Sequence, residues 1–218
     1  MFGVTTDIPP HQGLKSSSSI SVAAIRALAD HAGLDLTDER TVHLAVTAQR
    51  TAGVTLTGAV DDTWACATPM WHLVDVRNQE HPVILNSGEA PSQDHTLMIA
   101  IGGSPRRAHP DPDRFEFGRE AFLQAYQALE SGDVISAITW NGRGVATVTS
   151  DHFGRQLANH AVRVGALASG ISGSGPSVVT VIPNHLTSIQ PSIQKRISSH
   201  PHWGGTLLTR FLNIDTSS

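Results

Sequence analysis

"PPHQGLKSSSS", Pro9 to Ser19, sets two prolines, a glycine, a lysine and four consecutive serines directly ahead of the apolar run "ISVAAIRALADHAG". In that run Ile20, Val22, Ala23, Ile25, Ala27 and Leu28 fit helical spacing and Gly33 supplies a stop, so a helix ending near His31 is expected. The quoted stretch then lies at a helix N-terminus, where unpaired backbone N–H groups carry about half a unit of positive charge. A glycine-opened turn at such a place cradles anions, phosphate first among them. Gly13 admits close backbone approach, Lys15 adds a full charge, and Ser16, Ser17, Ser18 and Ser19 offer hydroxyls to phosphate oxygens or to Mg2+. The same residues also make a serine-rich helix cap beside a solvated lysine, and the stretch alone leaves both readings open. It is not a Walker A loop, because Leu14 separates Gly13 from Lys15 and Ile8 stands where that pattern needs glycine.

The rest of the composition narrows the class. With 218 residues, 39% of them hydrophobic, the chain can bury a substantial core as one domain or two small ones. A formal charge of -4 gives no field that would favour nucleic acid or an anionic membrane, and no apolar run approaches the ~20 residues of a membrane span. Cys66 stands alone, which rules out an internal disulfide, and the start "MFGVTTDIPP" lacks the basic and apolar regions of a signal peptide, so a cytoplasmic protein is expected. The histidines form no HExxH, and His200 and His202 flank a proline with no cysteine nearby, so no metal centre is expected of them.

Along the chain, strands and helices alternate irregularly, which points to α+β. A strand is expected over 1-8, a second helix from Asp38 to before Gly53, and an extended segment entering a turn through "GVTLTGAVDDTWACA". "WHLVDV" and "HTLMIAIGG" read as strands, and the Pro/Asp/Arg cluster between Gly102 and Phe115 reads as a loop. Three helices follow, over roughly 115-131, 133-149 and 152-167, then the glycine-rich "SGISGSGP", the strand "SVVTVI", a helix near 187-199 and a last strand "GTLLTRFL". A domain boundary is placed just before the second strand, giving domains 1-91 and 92-218.

Two further segments carry chemistry. "TLTGAVDDT", residues 55-63, presents the adjacent carboxylates Asp61 and Asp62; phosphoryl transfer needs a group to orient or deprotonate the attacking hydroxyl and a group to hold Mg2+, and this pair suits both, as it also suits a turn with Asp62 capping the next helix. "ASGISGSGPS", residues 168-177, can wrap backbone N–H groups around an anion or serve as an ordinary flexible connection. It is no hydrolase elbow, since neither Ser172 nor Ser174 has glycine two places away on both sides.

In order and spacing these segments resemble the GHMP-superfamily small-molecule kinases, and within them the archaeal-type shikimate kinases. "GLKSSSS" is similar to the GLKSSSA phosphate loop of that group, "AGVTLTGAVDD" to its AGVTxTGAxDD segment, and "ASGISGSGPSVVTV" to its AGxSGTGPA loop and following strand. The resemblance implies a two-part α+β fold with a ferredoxin-like C-terminal half, and ATP- and Mg2+-dependent phosphorylation of the shikimate 3-hydroxyl. On this resemblance Asp61 takes the base or orienting role, Asp62 a supporting or Mg2+ role, and Lys15 stabilises transition-state charge. Pro9, Pro10, His11, Gln12, Gly13, Leu14 and Lys15 to Ser19 bind the triphosphate, Ser172, Gly173, Ser174 and Gly175 line the site, and Ser17, Ser18 and Asp61 serve the metal. Arg106, Arg107 and Arg143 are candidates for the acceptor's carboxylate. Homoserine is the alternative acceptor, and an inactive ligand-binding or regulatory module is the alternative outside catalysis.

The family usually sets several strands ahead of the phosphate loop, whereas eight residues precede Pro9. A short N-terminal part with its strands largely missing is therefore expected, with an open nucleotide site and apolar edges covered by a homodimer or a partner chain. The family's acidic Mg2+ ligand ahead of the catalytic Asp is also absent, since no carboxylate lies between Glu39 and Asp61, and Gln49 and Arg50 occupy that turn.

Overall fold

The computed structural model describes residues 3-55, 60-77, 83-103 and 112-212. Contacts divide them into two units, the first holding Lys15–Ala90 and the second Pro10–Leu14 with Pro91–Leu212.

The first unit is helical at its centre. α1 (Ser16–His31) and α2 (Asp38–Thr51) form because their apolar positions recur one helical turn apart: Val22, Ile25 and Ala29 on α1, and Val42, Ala45 and Val46 on α2. Thr37 caps α2, its hydroxyl accepting from the Arg40 N–H, while Asp38 and Glu39 in the first turn and Arg50 in the last complement the helix dipole. α3 (Val60–Ala67) adds Val60 and Ala67 to the same core. It replaces the turn expected there and puts Asp61 and Asp62 in a helical first turn, at the positive end of the backbone dipole. Two antiparallel strands, β1 (Met70–Asp75) and β2 (Val83–Glu89), complete the unit. The strand expected over 1-8 does not form among residues 3-8.

The second unit is a four-stranded antiparallel sheet with helices. Its elements in chain order are β3 (His95–Gly102), a 3-10 turn (Pro112–Arg114), α4 (Phe115–Glu130), α5 (Val134–Val148), α6 (His152–Arg163), β4 (Ala168–Ile171), β5 (Val178–Pro183), α7 (Ile189–Ser198) and β6 (Trp203–Thr209). The strands lie in the order β4-β5-β3-β6, so the first strand of the unit sits between its third and fourth, the split arrangement of a ferredoxin-like sheet. Asp133 and Asp151 cap α5 and α6 through side-chain bonds to the Ser136 and Gly154 N–H groups. Met98, Leu157, Ala161, Val178, Ile182, Ile189, Ile193 and Ile197 fill the core between sheet and helices. β4 approaches α5 so closely that a Cβ on Gly142 would lie 2.3 Å from the Gly170 Cα, and glycine at both places lets the backbones touch. Among the described residues no helix is long and apolar enough to cross a membrane.

Candidate active site

The residues expected to act in the first unit gather where α1 and α3 begin. Lys15 is the residue that opens α1, and its backbone is left-handed at φ 62, a conformation that costs a non-glycine residue about 1 kcal/mol or more. From there its ammonium donates to Asp62 Oδ1 and forms an ion pair. Both side chains are partly enclosed, Lys15 at 33% exposure and Asp62 at 27%. Burial pushes the Asp62 carboxyl above the ordinary carboxylate range against the pull of Lys15, and the charge on Asp61 adds to the rise. Asp61 itself is exposed, one position earlier on the same helical turn. Cys66, one turn further along α3, has its thiol pushed up to about 11 by burial and by Asp62.

No side chain caps α1 by a hydrogen bond, and its first turn holds no acid, so the N–H groups at its start keep their anion-attracting character. Ser17 is half-buried. Ser18 is enclosed completely and donates its hydroxyl to Gln49 Oε1 at 3.0 Å. The Gln49 amide also donates to Thr63 Oγ1 at 3.0 Å and reaches the Ala45 carbonyl at 3.4 Å. One buried glutamine thus ties α1, α2 and α3 together. Ser18, expected to serve the metal, is thus hydrogen-bonded within the unit, on the face of α1 that the apolar contacts with α2 turn inward.

Pro10–Leu14, the middle of the stretch expected to bind phosphate, belongs to the second unit, whereas the sequence reading assigns it to domain 1-91. The reason is Gln12. Its side chain is 5% exposed, donates to the Gly102 carbonyl at 3.1 Å and accepts from the Gly102 N–H at 3.0 Å, in the manner of an added strand residue at the end of β3. The same Oε1 accepts from Ser177 Oγ at 2.8 Å. Gly13 then lies against the Ser172–Gly175 loop, whose Ser172 hydroxyl donates to the Gly13 carbonyl at 2.9 Å. A Cβ on Gly13 would sit 2.1 Å from the Ser172 carbonyl oxygen, and its φ of +70 is left-handed. Left-handed residues recur at His11, Gly13 and Lys15, the backbone habit of concave anion-binding nests.

Of the residues expected to bind nucleotide, the structure joins Gln12 and Gly13 to Ser172 and Ser177 in the second unit, and Lys15 to Asp62 in the first. Gln12 directs its side-chain hydrogen bonds at Gly102 and Ser177. Arg143 lies on α5 with its guanidinium 4.5 Å from the Trp140 ring centroid; Arg106 and Arg107 fall outside the described residues. Gln49 was legible in sequence as the polar member of an apolar helical stripe, at the next turn after Val42, Ala45 and Val46. Gln12 carried no such signal, because its partners lie 90 and 165 residues away.

Residues 2-69 match the family described as GHMP kinases N terminal domain. A shikimate kinase of Methanothermobacter thermautotrophicus is 34% identical over 186 residues, spanning 81% of this chain and 61% of that protein. A shikimate kinase of Thermococcus kodakarensis is 32% identical, over 83% of this chain and 64% of that protein. The chain thus spans less than two thirds of the length of these curated relatives. Among solved structures, homoserine kinase from Cytophaga hutchinsonii superposes with a TM-score of 0.65 at 18% identity, covering 96% of this chain and 68% of that one. The mevalonate kinase of Methanococcus jannaschii does so with a TM-score of 0.64 at 12% identity, over 96% of this chain and 67% of that one. These likenesses establish the fold.

Proposed function

We propose that this chain is a phosphotransferase that moves the γ-phosphoryl group of ATP to the 3-hydroxyl of shikimate, a reading supported by the match of residues 2-69 to the GHMP kinase N-terminal domain and by its likeness in fold to a homoserine kinase. The observation that carries the chemical part of this reading is the Lys15–Asp62 pair with Asp61 exposed beside it. The choice of shikimate rests on the names of the archaeal relatives.

Phosphoryl transfer asks a protein mainly for positioning and for charge stabilisation. Asp61, exposed in the first turn of α3, accepts or orients the proton of the attacking hydroxyl. Lys15 supplies positive charge for the oxygens of the transferring group, together with the N–H groups at the start of α1. Asp62 orients the Lys15 ammonium.

Among the described residues no group of three His, Cys, Asp or Glu side chains gathers in one place. That fits Mg2+, which keeps water and phosphate oxygens and takes only one or two protein ligands. Asp61 and the Ser17 hydroxyl are the residues that would hold it, and the ion would neutralise charge on the phosphate oxygens.

The test is ADP release from ATP and Mg2+ across shikimate, homoserine and mevalonate, with the phosphorylated product identified by phosphorus NMR. Turnover is expected with shikimate and a 3-phosphate product. Faster turnover with homoserine would move the assignment to that acceptor, and no turnover with any of the three, from a chain that binds ATP, would leave a ligand-binding module.

A further inference from the structure

Lys15 occupies a backbone conformation that glycine adopts freely and lysine does not. What the strained position provides is reach: from the start of α1 the ammonium arrives at Asp62, in the first turn of α3. The one lysine or arginine of the Pro9–Ser19 stretch is therefore already engaged by a carboxylate. We propose that Asp62 is a counterweight the triphosphate has to displace: nucleotide affinity is set by competition between this carboxylate and the phosphates for one ammonium. This rests on the nucleotide-binding reading given above.

Three observations favour competition over a fixed structural pair. First, both partners stay about one-third exposed, so a solute can reach the ammonium without unfolding anything. Second, Asp62 meets the ammonium with a single carboxylate, whereas a triphosphate brings several charges at once. Third, a lysine ammonium has three donors and swivels, so it can pass from carboxylate to phosphate by side-chain rotation. In this arrangement Asp62 is a positioning residue, and Asp61 is the carboxylate left to meet the acceptor.

The prediction is one of sign. Removing a residue from a binding site ordinarily weakens binding, but Asp62→Asn frees Lys15 and is expected to tighten it. The full chain is titrated with ATP and, separately, with inorganic tripolyphosphate, without acceptor, in wild type, Asp62→Asn, Lys15→Gly and the double variant. Glycine suits the left-handed backbone at position 15, so that change removes the charge without straining the fold. Asp62→Asn is expected to bind tripolyphosphate roughly three- to tenfold more tightly, with a steeper salt dependence. Lys15→Gly is expected to bind more weakly, and the double variant to stay within about twofold of Lys15→Gly.

Unchanged or weaker binding by Asp62→Asn, with thermal unfolding like wild type, overturns the proposal. So does an equal gain in the presence and absence of Lys15, which is the signature of simple repulsion by Asp62. If Asp62→Asn does not fold, Asp62→Ser makes the same test. Wild-type chain that binds neither probe overturns the nucleotide reading and this inference together, whereas wild-type binding that Asp62→Asn leaves untouched overturns this inference alone.

Discussion

Gln49 Oε1 accepts the Ser18 hydroxyl at 3.0 Å, with Ser18 at 0% and Gln49 at 1% exposure. Through its amide, which donates to Thr63, the same side chain joins three helices at the point where two of them begin. A buried polar group of this kind is stabilising only while it is fully paired.

Replacing Gln49 by Leu leaves the Ser18 hydroxyl without its acceptor, and a loss of about 1–3 kcal/mol in denaturant unfolding is expected. Gln49→Glu discriminates further. An acid buried there has a higher pKa folded than unfolded, so the folded chain holds the proton more tightly. Stability of the variant should then fall as pH rises from the ordinary glutamate value to the folded one. Urea midpoints of Gln49→Glu that do not change between pH 4 and pH 7 would show that the site is wetter than its burial implies.

Asp61→Asn should lower kcat by roughly 10²–10⁴ while ATP affinity changes little, the range found for a lost general base. Steady-state kinetics with saturating ATP provide the comparison. Near-normal turnover would shift the proton-accepting role from Asp61 to Asp62, whose carboxyl burial has already raised.

Gln12→Leu strands the Gly102 N–H and carbonyl and the Ser177 hydroxyl, each of which is paired with this one side chain. Stability should drop by about 1–3 kcal/mol and the KM for ATP should rise, since the turn that carries Gly13 loses its anchor. Gly13→Ala is harsher, because its methyl meets the Ser172 carbonyl at 2.1 Å and its φ is left-handed. Amide exchange of residues 10-14 reports the anchor directly, and unchanged protection in Gln12→Leu would refute it.

Cys66 should resist alkylation. With its pKa at about 11, the thiolate fraction at pH 7.5 is on the order of one in three thousand, against about one in ten for an unperturbed thiol. Iodoacetamide should label the folded chain more than a hundredfold more slowly than the urea-unfolded chain, and Asp62→Asn should speed the folded reaction by removing a neighbouring negative charge. Equal rates folded and unfolded would show the thiol unshielded.

The sequence by itself determined most of the helices, though not α3. α1 and α2 declare themselves by apolar spacing, because that signal is carried by neighbouring residues. The partnerships were decided only in three dimensions. β4 reads as loop because Ala168, Ser169 and Gly170 lack the bulky side chains of a strand; they form one because β5 pairs with them and the Gly142 face of α5 tolerates nothing larger than glycine at position 170. β2 went unseen for the opposite reason, being mostly exposed and carrying Asn86, Ser87 and Gly88, so no buried alternation marks it. Pro9 to Ser19 is one stretch of sequence, yet Gln12 fastens its first part at the end of β3 while Lys15 faces α3. No local propensity encodes that division, since a hydrogen bond across 90 residues exists only after the chain has folded and buried it.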